Sequence, residues 1–289
     1  MCGTCGCGSE ENGPKILTPT LGKETHDHHD HSHGHSHDHD HHHGHHHHHH
    51  PHDHHHHDHN HGHDHHQNKT VLEVERDILQ QNEIMAARNR GYFDAKGIFA
   101  LNLVSSPGSG KTSLLERTLK DLKDKIPFYV IEGDQQTLND ANRIAALEVP
   151  VIQINTGKGC HLESDMIHDA VKKLNIANDS VLMIENVGNL VCPSMFNLGE
   201  HKRVVIVSTT EGDDKPIKYP DMFHTSDICI INKIDLAPYL DTNIEELKEN
   251  ALRVNPDLVF FEVSATKGTG MEQWYGWLKE NAKLVPEKY

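Results

Sequence analysis

SSPGSGKT, residues 105–112, comes directly after the apolar run IFALNLV (98–104) and opens the helical stretch TSLLERTLKDLK (112–123). A glycine-rich turn between a strand and a helix lets backbone N–H groups close on phosphate oxygens, helped by the positive end of the helix. Gly108, Ser109 and Gly110 form the turn. Lys111 is placed to reach the β- and γ-phosphates, and Thr112 and Ser113 follow at the helix start, the Thr112 hydroxyl as a Mg²⁺ ligand. The departure from the usual G-x-x-x-x-G-K-S/T spacing is Ser105, which stands where the first glycine is expected.

Outward from this loop, short apolar runs alternate with helical stretches. PFYVIEG (127–133), VPVIQI (149–154), SVLMIEN (180–186), RVVIVST (203–209), DICIIN (227–232) and LVFFEVSA (258–265) join IFALNLV as seven buried strands, rich in β-branched residues and flanked by turns or loops. Helical stretches such as NIEELKENALRV (243–254) lie between most of them. This alternation predicts an α/β domain over residues 69–289, doubly wound on a mainly parallel sheet, with ligands bound outside the carboxyl ends of the strands. At its start, TVLEVERDILQQNEIMAARNR (70–90) reads as an amphipathic helix with Val71, Val74, Ile78, Leu79 and Met85 as the apolar face, and with Gly91 or Gly97 as its stop.

NKID (232–235) follows the strand DICII. A carboxylate there can accept hydrogen bonds from both N1–H and N2–H of guanine, a pattern adenine lacks, so Asp235 reads the base while Asn232 and Lys233 fix the loop. SAT (264–266) also follows a strand and supports the base through its backbone at Ser264 and Ala265. Glu132 and Asp134 end the strand before QQT; Asp134 is the better candidate for holding Mg²⁺ or orienting water, and with Lys111 makes the expected catalytic pair. Glu185 precedes NVGN, a segment with the form of a γ-phosphate sensor working through Gly188, and its role is open between metal shell and structure. No arginine finger is assignable, and nothing singles out Gln135 or Gln136, so hydrolysis is expected to be slow.

The rest of the chain speaks of metal. Twenty-seven of the forty-one residues from His26 to His66 are histidine, interleaved with seven Asp and with no aliphatic or aromatic side chain. Such a stretch cannot bury a core, so a disordered, multi-site metal-binding tract is expected over residues 14–68. Before it, residues 1–13 hold CGTCGC, placing Cys2, Cys5 and Cys7 at C-x-x-C-x-C spacing. Thiolates favour soft or borderline ions, either square-planar Ni²⁺ or tetrahedral Zn²⁺. Inside the α/β domain, Cys160-His161 lies in TGKGCHL and Cys192 in GNLVCP, four residues past Gly188. An adjacent Cys-His pair chelates poorly alone but can contribute half a site across a two-fold axis. Cys229, within an apolar strand, reads as core.

The formal charge of −16 with neutral histidines argues against nucleic acid as a partner. No apolar run approaches the ~20 residues of a spanning helix, and the N-terminus lacks a secretory signal, so no membrane association and a cytoplasmic setting are expected.

Taken in order, SPGSGKT, EGDQQT, TGKGCHL, ENVGNLVCP, NKID and SAT resemble the HypB family over residues 70–289. The resemblance implies a GTPase of the signal-recognition and MinD-like branch, using GTP and Mg²⁺, that assists nickel insertion into nickel–iron hydrogenase. It implies a homodimer across the nucleotide face, with hydrogenase maturation accessory proteins and the hydrogenase large subunit as metal recipients. By the same resemblance Cys160, His161 and Cys192 are the metal ligands of the GTPase domain, for Ni²⁺ or Zn²⁺, and CGTCGC is a high-affinity nickel motif; Ser105 is tolerated in this branch. Two alternatives remain: a urease-type nickel accessory GTPase, whose Cys-Pro-His this chain lacks, and a protein that chiefly stores nickel.

Overall fold

Among the described residues, β-branched runs separated by helices fold as eight strands in one sheet. The computed structural model describes residues 14–19, 70–135 and 139–282. Contacts divide the chain into one unit of residues 1–21 and 71–289 and another of residues 22–70, and the architecture below belongs to the first. Cys2, Cys5, Cys7 and the histidine tract lie outside the described residues.

The strands are β1 (Lys15–Leu17), β2 (Phe99–Ser105), β3 (Phe128–Asp134), β4 (Val151–Asn155), β5 (Val181–Gly188), β6 (Lys202–Ser208), β7 (Ile228–Asn232) and β8 (Val259–Glu262). They are ordered β1-β4-β3-β5-β2-β6-β7-β8, every pair parallel except β1 with β4. The chain winds outward from β2 to β3 and β4, returns through β5, and then crosses to β6, β7 and β8. That reversal beside β2 creates the crevice in which doubly wound sheets bind ligands.

Among the described residues eight α-helices lie between or after the strands: α1 (Val71–Lys96), α2 (Lys111–Leu122), α3 (Asn139–Ala145), α4 (Ser164–Leu174), α5 (Lys215–Lys218), α6 (Pro220–His224), α7 (Ile244–Val254) and, past β8, α8 (Met271–Ala282). One sheet face packs Leu114, Leu115 and Leu119 of α2, Ile144 of α3 and Trp274 of α8 into a single cluster. The other face carries two clusters, one with Phe93 of α1 and Ile167 of α4, the other with Phe223 of α6 and Leu247 of α7. Each strand in the middle is apolar on both faces, which is why the sequence shows runs rather than alternation. Among the described residues no helix is long and apolar enough to cross a membrane.

Two features depart from the sequence reading. Strand β1 falls at the start of residues 14–68, the stretch expected to be disordered. Three residues carry no period of their own; their pairing comes from the open edge of β4, against which Lys15, Ile16 and Leu17 register with Asn155, Ile154 and Gln153, and Ile16 packs on the α1/α4 cluster. Helix α1 passes Gly91, ends before Gly97, and buries a different face: Val71, Val74 and Ile78 are exposed, whereas Asn82, Ala86, Asn89 and Phe93 are buried.

The reason is what that face meets. Asn82 Nδ2 donates to the Asn197 carbonyl (2.7 Å) and its Oδ1 accepts from Ser164 N–H (2.9 Å). Asn89 Nδ2 donates to the carbonyls of Ser164 (2.7 Å) and Leu198 (3.1 Å). The helix packs on loop backbone, whose polar groups need partners that an apolar face cannot give.

His201 shows the same economy: its Nδ1 accepts from Ala100 N–H (3.0 Å) and its Nε2 lies 2.9 Å from Asp94 Oδ1. Burial, ahead of the opposing Asp94 hydrogen bond, holds its pKa below the ordinary value.

Two outcomes follow for stability. Asn82→Ala leaves a buried N–H and a carbonyl unpaired and lowers unfolding free energy by about 1–3 kcal/mol in urea titration, whereas Gln81→Ala on the exposed face changes it by less than about 0.5 kcal/mol. His201 is protonated more readily unfolded than folded, so its contribution is complete above the ordinary imidazole pKa of about 6.5 and is lost as pH falls below it. Urea midpoints between pH 8 and 5 should show that limb, flattened in His201→Asn.

Candidate functional site: a phosphate cleft beside a thiol–imidazole trio

The loop after β2 turns on glycines. Gly108 has φ +78° and Gly110, the N-cap of α2, has φ +90°, in the left-handed region that side chains resist. Ser105 sits upstream of that turn, as the last residue of β2, buried and paired with Gly188 and Ile206. Extended backbone asks for no glycine there, which accounts for the departure seen in the sequence.

NKID closes over this loop. Asn232, buried at the end of β7, donates from Nδ2 to the carbonyls of Ser109 (3.0 Å) and Gly110 (3.4 Å). Its Oδ1 accepts from the N–H groups of Lys233 (2.8 Å) and Ala265 (3.2 Å), so one carboxamide joins the phosphate loop to the SAT loop. Lys233 Nζ donates to the Gly108 carbonyl (2.6 Å), and Ser264 Oγ accepts from Lys267 N–H (3.2 Å). Asp235, half-buried, lies in the first turn of the short 3₁₀ helix that follows, Ile234–Tyr239. Ser106 bonds to Glu211, which also caps the turn after β6.

A cleft of about 450 Å³ opens above the loop, lined by Ser105 to Ser113, Glu132, Asp134, Asp140, Arg143, Glu185, Gly188 and Lys233. Glu185 Oε1 accepts from Thr112 Oγ1 (2.6 Å) and Lys111 Nζ (3.1 Å), and Thr112 Oγ1 also lies 3.3 Å from Asp140 Oδ2. Asp134 lines the same cleft, its Oδ1 accepting Gln135 N–H (2.7 Å). Desolvation, then the charges of Glu185 and Asp134, push the Glu132 carboxyl up to about 9. Glu132 Oε2 and Glu185 Oε2 are buried without hydrogen-bond partners. Hard oxygen donors converging in this way suit a divalent cation such as Mg²⁺. Glu185 and Asp140 join the residues named from sequence: the first stood there with its role open, while nothing local in the sequence marked the second.

The trio Cys160, His161 and Cys192 also assembles: one ligand atom from each lies within 4.8 Å of the others. The two sulfurs are 2.7 Å apart with no disulfide between them, and Cys160 Sγ is 3.7 Å from His161 Nδ1. The imidazole stacks on Phe196, ring centres 3.9 Å apart and 24° from parallel, and its Nε2 lies 3.3 Å from Glu163 Oε1 without hydrogen-bond geometry. A carboxylate behind one ring nitrogen leaves the other, Nδ1, facing the sulfurs. Neither Phe196 nor Glu163 is marked in the sequence; a reader would need to ask what holds the imidazole. Cys229 is buried in β7, where burial pushes its thiol pKa up and leaves it inert.

Cleft and trio share their supports. Between Glu132 and Asp134, Gly133 packs so closely on Leu162 that a Cβ would lie 2.8 Å from Leu162 Cγ. Gln135 Nε2 donates to the Gly159 carbonyl (3.0 Å) and Thr156 N–H to the Asp134 carbonyl (2.9 Å). From β5, Asn186 Oδ1 accepts Leu162 N–H (3.2 Å).

Residues 99–262 match the nucleotide-binding domain described as CobW/HypB/UreG. The chain is 58% identical over 212 residues to hydrogenase maturation factor HypB of Rhizobium leguminosarum bv. viciae, covering 73% of this chain and 71% of that protein. It is 54% identical over 211 residues to HypB of Escherichia coli K12, covering 73% of each. Among solved structures, HypB from Helicobacter pylori in complex with nickel superposes with a TM-score of 0.66 at 40% identity, covering 70% of this chain and 95% of that one.

Gly110→Ala tests the cleft. Its Cβ would meet Asn232 Nδ2 at 2.5 Å, and the left-handed backbone adds about 1–2 kcal/mol of strain. Binding of a fluorescent guanine nucleotide should weaken at least about tenfold, the equivalent of ~1.4 kcal/mol.

Proposed function

The chain belongs to the HypB family, and from that premise we propose that it is a GTP-hydrolysing nickel carrier acting in hydrogenase maturation. The observation that carries the reading is the shared support of cleft and trio. Strand β3 brings Glu132 and Asp134 to the cleft and, through Gly133 and Gln135, bears on the loop with Cys160 and His161. Strand β5 brings Glu185 to the cleft and, through Asn186, holds the same loop. Ions differ by donor type: the oxygen-lined cleft suits Mg²⁺, and the thiol–imidazole trio suits Ni²⁺ or Zn²⁺ as cargo.

In this reading Asp235 selects guanine, Lys111 offsets phosphate charge, and Thr112 with Glu185, Asp140 and Asp134 holds Mg²⁺, which supplies charge stabilisation at the transferring phosphoryl group. Gly188 senses the γ-phosphate at the end of β5. Any shift of β3 or β5 against the nucleotide then moves the trio, and nucleotide state sets metal affinity. Three ligands leave the coordination incomplete, and a second copy across the nucleotide face completes it; Val191 and Met195, both 54% exposed beside Cys192, suit that contact. The histidine tract supports storage as a second activity. The recipients are accessory proteins of maturation and, through them, the hydrogenase large subunit.

The test uses the full chain with Cys2, Cys5 and Cys7 changed to Ser, so that thiolate-to-nickel charge-transfer absorption reports the trio alone and not the histidines. Ni²⁺ affinity should differ between GTP, GDP and no nucleotide by about 5–150-fold, the usual range of coupling between two sites. The band should vanish in Cys160→Ala. Equal affinity in all three states removes the coupling; no band at all removes the trio as a nickel site.

A further inference from the structure

Three cations line the cleft among the described residues: Lys111, Lys233 and Arg143. Lys111 belongs to the phosphate loop, and Lys233 is fixed on the Gly108 carbonyl (2.6 Å). Arg143 has no task in the site described so far. It stands on α3, the helix that follows β3, and its guanidinium is charged at every working pH.

Two rungs join α3 to α2. Asp140 Oδ2 lies 3.3 Å from Thr112 Oγ1, and Arg143 Nη2 donates to Glu116 Oε2 (2.5 Å). Thr112 and Glu116 share one face of α2, and Asp140 and Arg143 share one face of α3. Arg143 therefore sits one helical turn, about 5.4 Å, from the rung that carries the Thr112 hydroxyl. Its long side chain covers that distance by swinging toward the phosphate loop. What holds it back is weak: Arg143 is 47% exposed, its partners Glu116 and Asp140 are 26% and 37% exposed, and the Asp140 contact is 3.0 Å. Pairs so open to water contribute little. A terminal phosphoryl group offers more charge than either carboxylate, and a planar guanidinium fork binds phosphate through paired hydrogen bonds.

We propose that Arg143 is a catalytic residue of GTP hydrolysis, leaving Glu116 to donate hydrogen bonds to the γ-phosphoryl oxygens of the nucleotide in its own chain; the inference rests on the reading of the cleft as a GTPase site. In that step a water oxygen bonds to the γ-phosphorus. The bond to the β–γ bridging oxygen breaks, its electron pair stays on GDP, and a water proton passes to the phosphate released. The guanidinium gives up no proton; it offsets the charge that gathers on the transferring group and on the leaving oxygen. No motif marks this arginine in the sequence, because its place in the cleft comes from the packing of α3 on α2.

The test follows single-turnover GTP hydrolysis by the full chain with Mg²⁺. Beside it, the affinity for a fluorescent GDP is measured with and without aluminium fluoride, which mimics the transferring phosphoryl group. Arg143→Ala should slow hydrolysis about 20–30-fold, the ratio between GTPases that carry such an arginine in the same chain and those that lack one. GDP affinity should stay within about twofold, while the gain from aluminium fluoride is lost. Glu116→Gln removes the tie and keeps the arginine, so its rate should rise or stay within about twofold of the unmodified chain. Equal losses in Glu116→Gln and Arg143→Ala make the pair a tie between helices and overturn the inference. So does a full rate in Arg143→Ala, a loss of GDP binding in that variant, or an unmodified chain whose GDP affinity aluminium fluoride leaves unchanged. An unmodified chain that binds GDP and hydrolyses no GTP overturns the GTPase reading and the inference with it.

Discussion

One buried carboxamide holds the functional end of this protein in register. Asn186, fully buried in β5, accepts from Leu162 N–H and from Val187 N–H (2.9 Å), and donates to Asn102 Oδ1 (3.3 Å) in β2. Asn102 in turn donates to Glu200 Oε1 (3.0 Å), which also accepts from Arg203 at 2.9 Å. The Arg203 guanidinium reaches the carbonyls of Ser194 (3.1 Å) and Phe196 (2.9 Å). A continuous run of hydrogen bonds thus joins the residue after His161 to the turn that holds Cys192. Buried polar groups are costly unless every member is paired, and a network that meets this condition fixes one arrangement. This seam lies between the two apolar clusters on that face of the sheet, where an apolar filling could pack as well but could not specify where two loops sit.

Helix α1 works on the same loops from outside. Asn82 and Asn89 bond to Ser164, just past the Cys160-His161 loop, and to the carbonyls of Asn197 and Leu198, just past Phe196. The segments that carry the trio, from two crossovers, are therefore clamped by the seam beneath and the helix above. The imidazole itself is held by Phe196 and Glu163, one from each segment, so its aim depends on both being in place.

The phosphate loop and the NKID loop were legible because their chemistry is local. Glycine, lysine and threonine at fixed spacing between a strand and a helix have few other uses, and the seven runs of strand-forming residues were long enough to declare themselves. The trio was legible only as separate pieces, Cys160-His161 and Cys192, until family resemblance joined them. What failed did so for physical reasons. The apolar pattern of α1 pointed to Val71, Val74 and Ile78, but the helix packs on backbone, and backbone selects carboxamides. Strand β1 is specified by its partner's open edge and not by its own three residues. Asp140 sits in a short helix with no motif around it, and Glu132 owes its raised pKa first to burial and then to the charges of Glu185 and Asp134, which only the folded sheet brings about.

On the proposed reading, the arrangement lets one small domain respond to two ions without confusing them. Around the cleft the donors are carboxylates and hydroxyls, which suit hard cations; around the trio they are two sulfurs and an imidazole nitrogen, which suit borderline ones. Exchange of ions between them is disfavoured by chemistry, while exchange of strain is favoured by construction, since Gly133 touches Leu162 and Gln135 holds Gly159. Such contact transmits displacement because a close-packed interior cannot absorb it. A side chain at Gly133 would force Leu162 away, so glycine at that position serves the close contact between β3 and the Cys160-His161 loop and not the strand, whose own preference is for a β-branched residue.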